Sequence, residues 1–179
     1  SLAIRSDGTL WSWGLNSYSQ LGLSDLTHRS SPVQVGTSNG WSSIACGYYH
    51  AIAIRSDNTL WSWGYNSNGQ LGLSDTVSRS SPVQVGTSNG WSNIAAGGYH
   101  SLVIRSDNTL WAWGYNFNGQ LGYNSISYRS DANQVGLSSS WSSFPNGSQN
   151  TSWSSVLDIS QRLHTFGDNT NYINNYLVH

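Results

Sequence analysis

Short apolar runs alternate with polar residues along the chain, and glycine or a polar turn ends them. In the segment after residue 90, the runs at 91–96, 100–104 and 110–113 have the length and composition of β-strands. Gly97-Gly98 and Ser106-Asp-Asn-Thr109 separate these runs. Asp-Asn and Asp-Gly pairs tolerate the positive φ that a tight hairpin requires. No segment shows a sustained helical period, so the pattern predicts an all-β fold.

A fourth strand follows a long polar loop, at Pro32-Val-Gln-Val35 and again at Pro82-Val-Gln-Val85. Proline has no amide donor, so we expect this strand at the edge of its sheet. Four short antiparallel strands make one blade of a β-propeller. A lone blade would leave apolar faces in water, whereas stacked blades cover one another.

The strand pattern repeats with a period of about 50 residues, which is typical of propeller blades. Three good repeats occupy about 1–50, 51–100 and 101–140. The motif Ile-Arg-Ser-Asp begins at the same place in each of them, at Ile4, Ile54 and Ile104. We therefore predict tandem propeller repeats over residues 1–140.

A fourth, degenerate copy occupies residues 141–179. Trp141-Ser-Ser-Phe144 matches the start of a blade, and Leu163-His-Thr-Phe-Gly167 stands where its third strand would be. Terminal repeats are commonly atypical, so we predict that this segment is the last repeat of the same propeller. Ser1-Leu-Ala-Ile4 matches the second strand of a blade. We expect that these repeats do not close a ring alone but belong to a longer array or to an assembly of copies.

Each period carries the elements Gly-x-Tyr-His, Ile-Arg-Ser-Asp-(Gly/Asn)-Thr-Leu-Trp-x-Trp-Gly and Gln-Leu-Gly, closely over residues 1–136 and loosely over 141–169. This pattern resembles the regulator of chromosome condensation repeat, and bacterial and phage-type members are most similar. The resemblance implies a propeller. Ser19 departs from the family pattern, because it replaces the glycine seen at Gly69 and Gly119.

Composition favours a binding or assembly role. Only 8% of the residues are charged, the net charge is −1, and Lys, Glu and Met are absent. Surface Ser, Asn, Thr and Gly lose little rotamer entropy when a contact immobilises them. We therefore expect a protein partner or further copies of the chain, outside the cell or on a virion. The chain has no basic stripe and no long apolar run, so we expect neither nucleic-acid binding nor membrane insertion.

The candidate chemical groups have simpler structural interpretations. His50 and His100 occupy one repeat position, and we interpret them as buried imidazoles bonded to backbone rather than as metal ligands or catalytic bases. The single cysteine excludes a multi-cysteine zinc site, and no base–nucleophile arrangement stands out. We therefore expect no catalytic residues, no metal and no cofactor, and hence no enzyme.

Paired tryptophans and arginines leave two further alternatives open. Trp11 with Trp13, and their counterparts in the next two repeats, could form a glycan platform, although burial between blades is favoured. Arg5 could join a ring of arginines that binds anions, although pairing with Asp7 is favoured. Arg29 and Asp25 form a second candidate pair.

Partner contacts are expected where the repeats differ, because loops on a rigid scaffold carry most recognition. The candidate contact residues are Leu15, Tyr18, His28, Tyr48, Tyr65, Tyr115, Phe117 and Tyr128. The leading hypothesis is a non-enzymatic scaffold for protein binding or structural assembly. The alternatives are a carbohydrate-binding propeller and, from the resemblance, a regulator of a GTPase or another enzyme.

Overall fold

The computed structural model describes residues 1–145 and 150–168. All regular structure within them is β, as predicted, and they contain no helix that could cross a membrane. The fourteen strands are β1 Leu2–Ile4, β2 Leu10–Gly14, β3 Arg29–Gln34, β4 Trp41–Cys46, β5 His50–Arg55, β6 Leu60–Gly64, β7 Arg79–Gln84, β8 Trp91–Ala96, β9 His100–Arg105, β10 Leu110–Gly114, β11 Arg129–Gln134, β12 Trp141–Ser143, β13 Trp153–Asp158 and β14 Leu163–Gly167.

The strands form four antiparallel sheets in chain order. Sheet 2 (β4–β7) and sheet 3 (β8–β11) have four strands each, whereas sheet 1 (β1–β3) and sheet 4 (β12–β14) have three described strands each. The sheets are offset from the sequence repeats. Sheet 2 begins at Trp41 and sheet 3 at Trp91, so each takes its first strand from the last ten residues of the preceding 50-residue repeat. The four-stranded blade inferred from the sequence is therefore confirmed.

Turns and sheet edges follow the residues that predicted them. Strand β7, which contains Pro82, is the last strand of its sheet and pairs only with β6. Asn58 and Asn108 close the hairpin turns with φ of 61° and 62°. In the first repeat, Gly8 takes the same place with φ of 77°. Asparagine and glycine adopt this left-handed conformation readily, as the Asp-Asn and Asp-Gly pairs in the sequence predicted.

The apolar core lies between neighbouring sheets. Trp63 of sheet 2 is fully buried, and its indole Nε1–H donates to the Gln20 carbonyl in the loop of sheet 1 at 3.1 Å. Trp113 of sheet 3 donates to the Gln70 carbonyl in the same way at 2.9 Å. Sheets 2 and 3 thus each place one tryptophan under the Gln-Leu-Gly loop of the sheet before them. These two bonds link sheet 2 to sheet 1 and sheet 3 to sheet 2.

The prediction of burial between blades is confirmed for Trp63 and Trp113 and is wrong for Trp13. Trp13 is only half-buried, and so are Ala3 and Trp11, which share its face of sheet 1. No described loop covers this face of sheet 1 as the Gln20 loop covers Trp63. The sequence pattern is the same at both tryptophans, so only the neighbouring sheet distinguishes their burial.

Candidate functional site

All the long loops leave the sheets at one end. Strands β4 and β6 run towards this end, where a short turn at 47–49 and a long loop at 65–78 follow them. The neighbouring sheets place their equivalent loops beside these. Antiparallel strands dictate this arrangement, because every second connection returns to the same end of the sheet. At the opposite end, the described residues form hairpin turns and the connections between sheets.

Buried polar side chains hold the long loops in shape. In the loop at 65–78, the buried Asn66 carboxamide donates to the Asp75 carbonyl at 3.0 Å and accepts from the Leu71 amide at 2.9 Å. Gln70 accepts from the Asn68 amide at 3.0 Å. Asn16 and Asn116 make equivalent bonds in the loops of sheets 1 and 3. The loop surface is therefore fixed before any partner arrives, which lowers the entropy cost of binding.

A continuous cluster of aromatic rings covers this end of sheets 1 to 3. Ring centroids of neighbouring members are 4.6 to 6.4 Å apart, mostly in edge or tilted contacts. We name this surface the tyrosine face, and its members are Tyr18, Tyr48, Tyr49, Tyr65, Tyr99, Tyr115 and Phe117. Such geometry is favourable for aromatic pairs and rigidifies them.

The structure brings together five of the eight candidate contact residues in this cluster. Tyr48, Phe117 and Tyr18 are 60%, 59% and 44% exposed, whereas Tyr65 and Tyr115 are half-buried. The other three candidates lie in the same loops and are exposed, but they are not members of the ring cluster among the described residues. They are Leu15, His28 and Tyr128. His28 Nδ1 instead accepts from the Asn16 amide at 3.0 Å.

Sequence reasoning missed two members of the tyrosine face. Tyr49 and Tyr99 are central, because Tyr49 contacts rings of all three sheets and Tyr99 joins Tyr48 to Tyr115. Burial raises the pKa of Tyr99, and the surrounding tyrosines raise it further. The two repeats have tyrosine at the same position, whereas the candidate contacts lie at positions where the repeats differ. The signal was the recurring tyrosine before each histidine.

Two arginine–aspartate pairs lie in the loops near the tyrosine face. Arg79 forms a salt bridge with Asp75 at 2.6 Å and also donates to the Val77 carbonyl. The hydrogen bond from the Val77 amide lowers the pKa of Asp75 most. Burial raises this pKa and the Arg79 side chain lowers it, so that the net result is a pKa below the usual value. Arg29 and Asp25 repeat the pair in sheet 1, as predicted. In sheet 3, Ser125 stands at the position of these aspartates, and Arg129 instead lies over the Tyr123 ring at 4.4 Å.

The repeat motifs match known proteins over more than half of the chain. The regulator of chromosome condensation (RCC1) repeat matches residues 7–54 and 57–104, and a second model of the same repeat matches 41–70 and 91–120. The chain belongs to the RCC1 repeat family.

Similar RCC1-type proteins share the fold at low sequence identity. The structure of human WBSCR16 has a TM-score of 0.78 at 22% identity, covering 94% of this chain and 45% of that one. Yeast RCC1 (Prp20), solved with Kap60, has a TM-score of 0.78 at 20% identity, covering 93% of this chain and 39% of that one. The ultraviolet-B receptor UVR8 of Arabidopsis thaliana is 42% identical over 52 residues, which are 28% of this chain and 12% of that protein. The chain thus spans less than half the length of these relatives.

The repeated histidine of these RCC1 repeats joins neighbouring blades. His50 Nε2 lies 3.1 Å from Ser101 Oγ of sheet 3, and the Ser101 hydroxyl donates to the Gln70 carbonyl at 2.8 Å. The serine proton is thereby used, so Nε2–H of His50 is the donor to Ser101. His100 and Ser154 repeat this bond between sheets 3 and 4 at 2.7 Å. The predicted burial is confirmed, and Nε2 of each histidine contacts a serine of the next blade rather than backbone.

The first Ile-Arg-Ser-Asp motif has the predicted pair, with Arg5 Nη1 3.8 Å from Asp7 Oδ2, whereas Arg55 and Arg105 of the next two motifs differ from the prediction. The Arg55 guanidinium lies over Trp41 at 5.5 Å and over Trp61 at 5.7 Å, rather than pairing with Asp57. Its Nη2 donates to the Asn39 carbonyl at 3.0 Å. Asp57 instead accepts from the amide and hydroxyl of Thr59, as an Asx turn does.

The described residues contain no group of three His, Cys, Asp or Glu side chains that could hold a metal ion. The densest charged cluster lies in sheet 4, where the buried Asp158 accepts from Arg162 at 2.8 Å and from His164 Nε2 at 3.1 Å. Burial would raise the pKa of Asp158, but these bonds and two amide donors outweigh it and lower the pKa. The cluster closes a turn where the other sheets have the Arg–Trp stack.

Proposed function

We propose that the chain is a non-enzymatic protein-binding scaffold and that the tyrosine face is its recognition surface. The observation that carries the proposal is the continuity of the ring cluster across three sheets. Monomeric proteins rarely expose large contiguous apolar surface without a binding role. The exposed aliphatic side chains Leu26, Val77 and Ile126 extend this surface along the same loops.

The chemistry of the tyrosine face suits a protein partner. Its loops consist largely of Tyr, Ser, Asn and Gly, which is the composition of antibody recognition loops. Tyrosine gives a large contact area with few rotatable bonds, and the short polar residues supply adaptable hydrogen bonds. Because the nearby acids are paired with arginines, we expect that affinity depends little on salt.

The experiment compares matched variants that leave the fold intact. Tyr48→Ser and Phe117→Ser remove exposed rings of the tyrosine face, while Leu137→Ser removes a 99% exposed apolar side chain from the opposite end. Proteins from the native source are captured on the wild type and on each variant. We expect Tyr48→Ser and Phe117→Ser to weaken a specific complex about tenfold or more, as hot-spot losses do.

The Leu137→Ser control must retain the complex, and all three variants must unfold at the wild-type denaturant midpoint. Loss of binding in Leu137→Ser but not in Tyr48→Ser or Phe117→Ser would place the recognition surface elsewhere. A complex that survives removal of both rings would reject the tyrosine face as the binding surface.

A regulatory role through protein binding is the second candidate. The similar yeast protein Prp20p binds Gsp1p and histones. That likeness rests on 20% identity, so we infer from it only that an RCC1-type propeller of this kind suits a protein partner. The composition without Lys and Glu favours a place outside the cell or on a virion, and fractionation with an antibody to the chain tests this location.

A further inference from the structure

Two cavities of the same design lie between the outer strands of neighbouring sheets. The first, between sheets 1 and 2, has a volume of about 420 Å³, and the second, between sheets 2 and 3, about 670 Å³. Each residue that lines the first cavity has its counterpart 50 positions later in the second. The repeat itself therefore builds these cavities, and both have the size of small-molecule sites.

The first cavity combines apolar walls with an oriented cation. Trp41 and Trp61 meet edge to face with centroids 6.0 Å apart, and Val33 and Pro82 line the cavity with them. Arg55 stacks over both indoles. A guanidinium whose flat faces are covered presents its N–H groups along its edge, where a carboxylate can accept them.

The Arg55 guanidinium forms no salt bridge in the described part of the chain, and the Asp57 carboxylate interacts with its charge only from a greater distance. Its nearest polar contact is the uncharged Asn39 carbonyl, and no described carboxylate oxygen lies within 4.0 Å of its guanidinium. Arg29, which also lines the cavity, is neutralised by Asp25. No acidic residue lines this cavity, so a carboxylate inside it would meet the Arg55 N–H groups without a competing carboxylate in the lining.

The second cavity differs in charge at one position. Asp131 stands where Ser81 lines the first cavity, and Ala132 stands where Pro82 does. Arg105 occupies the place of Arg55 and makes the same contacts with Trp91 and Trp111. The two cavities thus form a matched pair in which the second contains a carboxylate of its own.

We propose that the cavity between sheets 1 and 2 is a binding site for a carboxylate attached to an apolar group. The carboxylate accepts from Arg55, and the apolar group packs against Trp61 and Pro82. The cavity between sheets 2 and 3 binds the same ligand more weakly, because Asp131 repels it.

The test titrates the ¹⁵N-labelled chain with phenylacetate and with its neutral analogue phenylacetamide at low salt. The indole N–H of Trp61 and the Arg55 side-chain N–H report on the first cavity, and those of Trp111 and Arg105 report on the second. We expect saturable shifts at Trp61 and Arg55 with phenylacetate, and affinity about tenfold or more lower for phenylacetamide, because the charge-assisted bond is lost.

Two reciprocal variants separate charge from shape. Ser81→Asp should abolish the shifts at Trp61, whereas Asp131→Ser should create phenylacetate binding at Trp111. A third titration uses acetyl-glycyl-phenylalanine, which ends in a peptide carboxylate. Tighter binding than phenylacetate would indicate a peptide C-terminus as the natural ligand, and weaker binding would indicate a small free acid.

Equal binding of phenylacetate and phenylacetamide would overturn the proposal, and so would equal binding at both cavities of the wild type. Absence of saturable shifts at Trp61 and Arg55 would do the same. These readouts do not involve the tyrosine face, so they are independent of the proposed protein-binding role.

Discussion

At the scale of single residues, the same side chain has different roles according to the sheet that precedes it. Trp63 is sealed under the Gln20 loop and donates its indole N–H to it, while Trp13 stands half-buried on the first sheet. The sequence predicts both as core, because their local patterns are identical. Burial here depends on a contact made 43 residues away along the chain.

Replacing the two tryptophans measures this difference. We predict that Trp63→Ala lowers the free energy of unfolding by about 3–5 kcal/mol, as other large-to-small core changes do. Trp13→Ala should cost clearly less, because much of its indole is already in contact with water. Chemical denaturation of both variants checks this, and equal losses would contradict the account of inter-sheet burial.

The buried histidines predict an acid-sensitive fold. Burial lowers the pKa of His50 to about 4 and that of His100 to about 3, against about 6.5 in the unfolded chain. The unfolded chain therefore binds more protons in this interval, and stability falls as pH drops from about 6.5 towards 4. At pH 7 both imidazoles are neutral in either state, and the full stability is present.

Unfolding midpoints measured between pH 7 and 4.5 check this dependence. We expect a steady decrease for the wild type and a smaller slope for His100→Gln, which keeps a donor but cannot titrate. A wild-type midpoint that does not change over this interval would show that these imidazoles are not held neutral by burial.

At the scale of elements, the strands were predictable from the sequence and the loop conformations only partly. Alternation, Asp-Asn turns and Pro82 predicted the four-stranded sheet and its edge, because these signals act within a few residues. The serine partner of His50 and the role of Tyr49 were not predictable, since both depend on side chains about 50 residues away. Local pattern carries no information about which loops meet.

The backbone conformation of Ser19 was predictable from the glycines at the same position of the other two repeats. Ser19 adopts φ of 62°, close to the 75° and 78° of Gly69 and Gly119. The departure from the family pattern at this position therefore changes the residue and not the turn. A serine in the left-handed region carries backbone strain that glycine avoids.

We predict that Ser19→Gly raises the free energy of unfolding by about 0.5–1 kcal/mol, because relief of strain exceeds the added entropy of glycine in the unfolded chain. The reciprocal change, Gly69→Ala, should destabilise the fold, because its new Cβ would lie 2.4 Å from the Ser130 Cα. Denaturant midpoints of both variants provide the check. Destabilisation by Ser19→Gly would mean that the serine side chain contributes more than its strain costs.

At the scale of the whole molecule, the two ends differ in chemistry. One end presents the tyrosine face on braced loops, and the other presents the Asp-Thr hairpin turns and the stacked Arg55 and Arg105. The sequence predicted that loop residues carry recognition, and the structure places all eight candidates at one end. That they contact a partner stays a prediction.

The half-buried face of sheet 1 predicts association of the 179-residue chain. Ala3 and Trp13 occupy the positions at which Ala53 and Trp63 are buried against a preceding blade. Association that covers them is favourable because it removes apolar surface from water. Sedimentation should show mass rising with concentration, and Trp13→Ser should reduce the rise. A monomer at every concentration would contradict this.

The most direct test of the central claim is the footprint of a bound protein partner, measured by amide hydrogen exchange on the free chain and on the complex. The account predicts that protection increases in the loops at 15–28, 47–49, 65–78, 97–99 and 115–128, and that the hairpin turns at 55–59 and 105–109 do not change. Protection confined to those hairpin turns, with the tyrosine face unchanged, would contradict it.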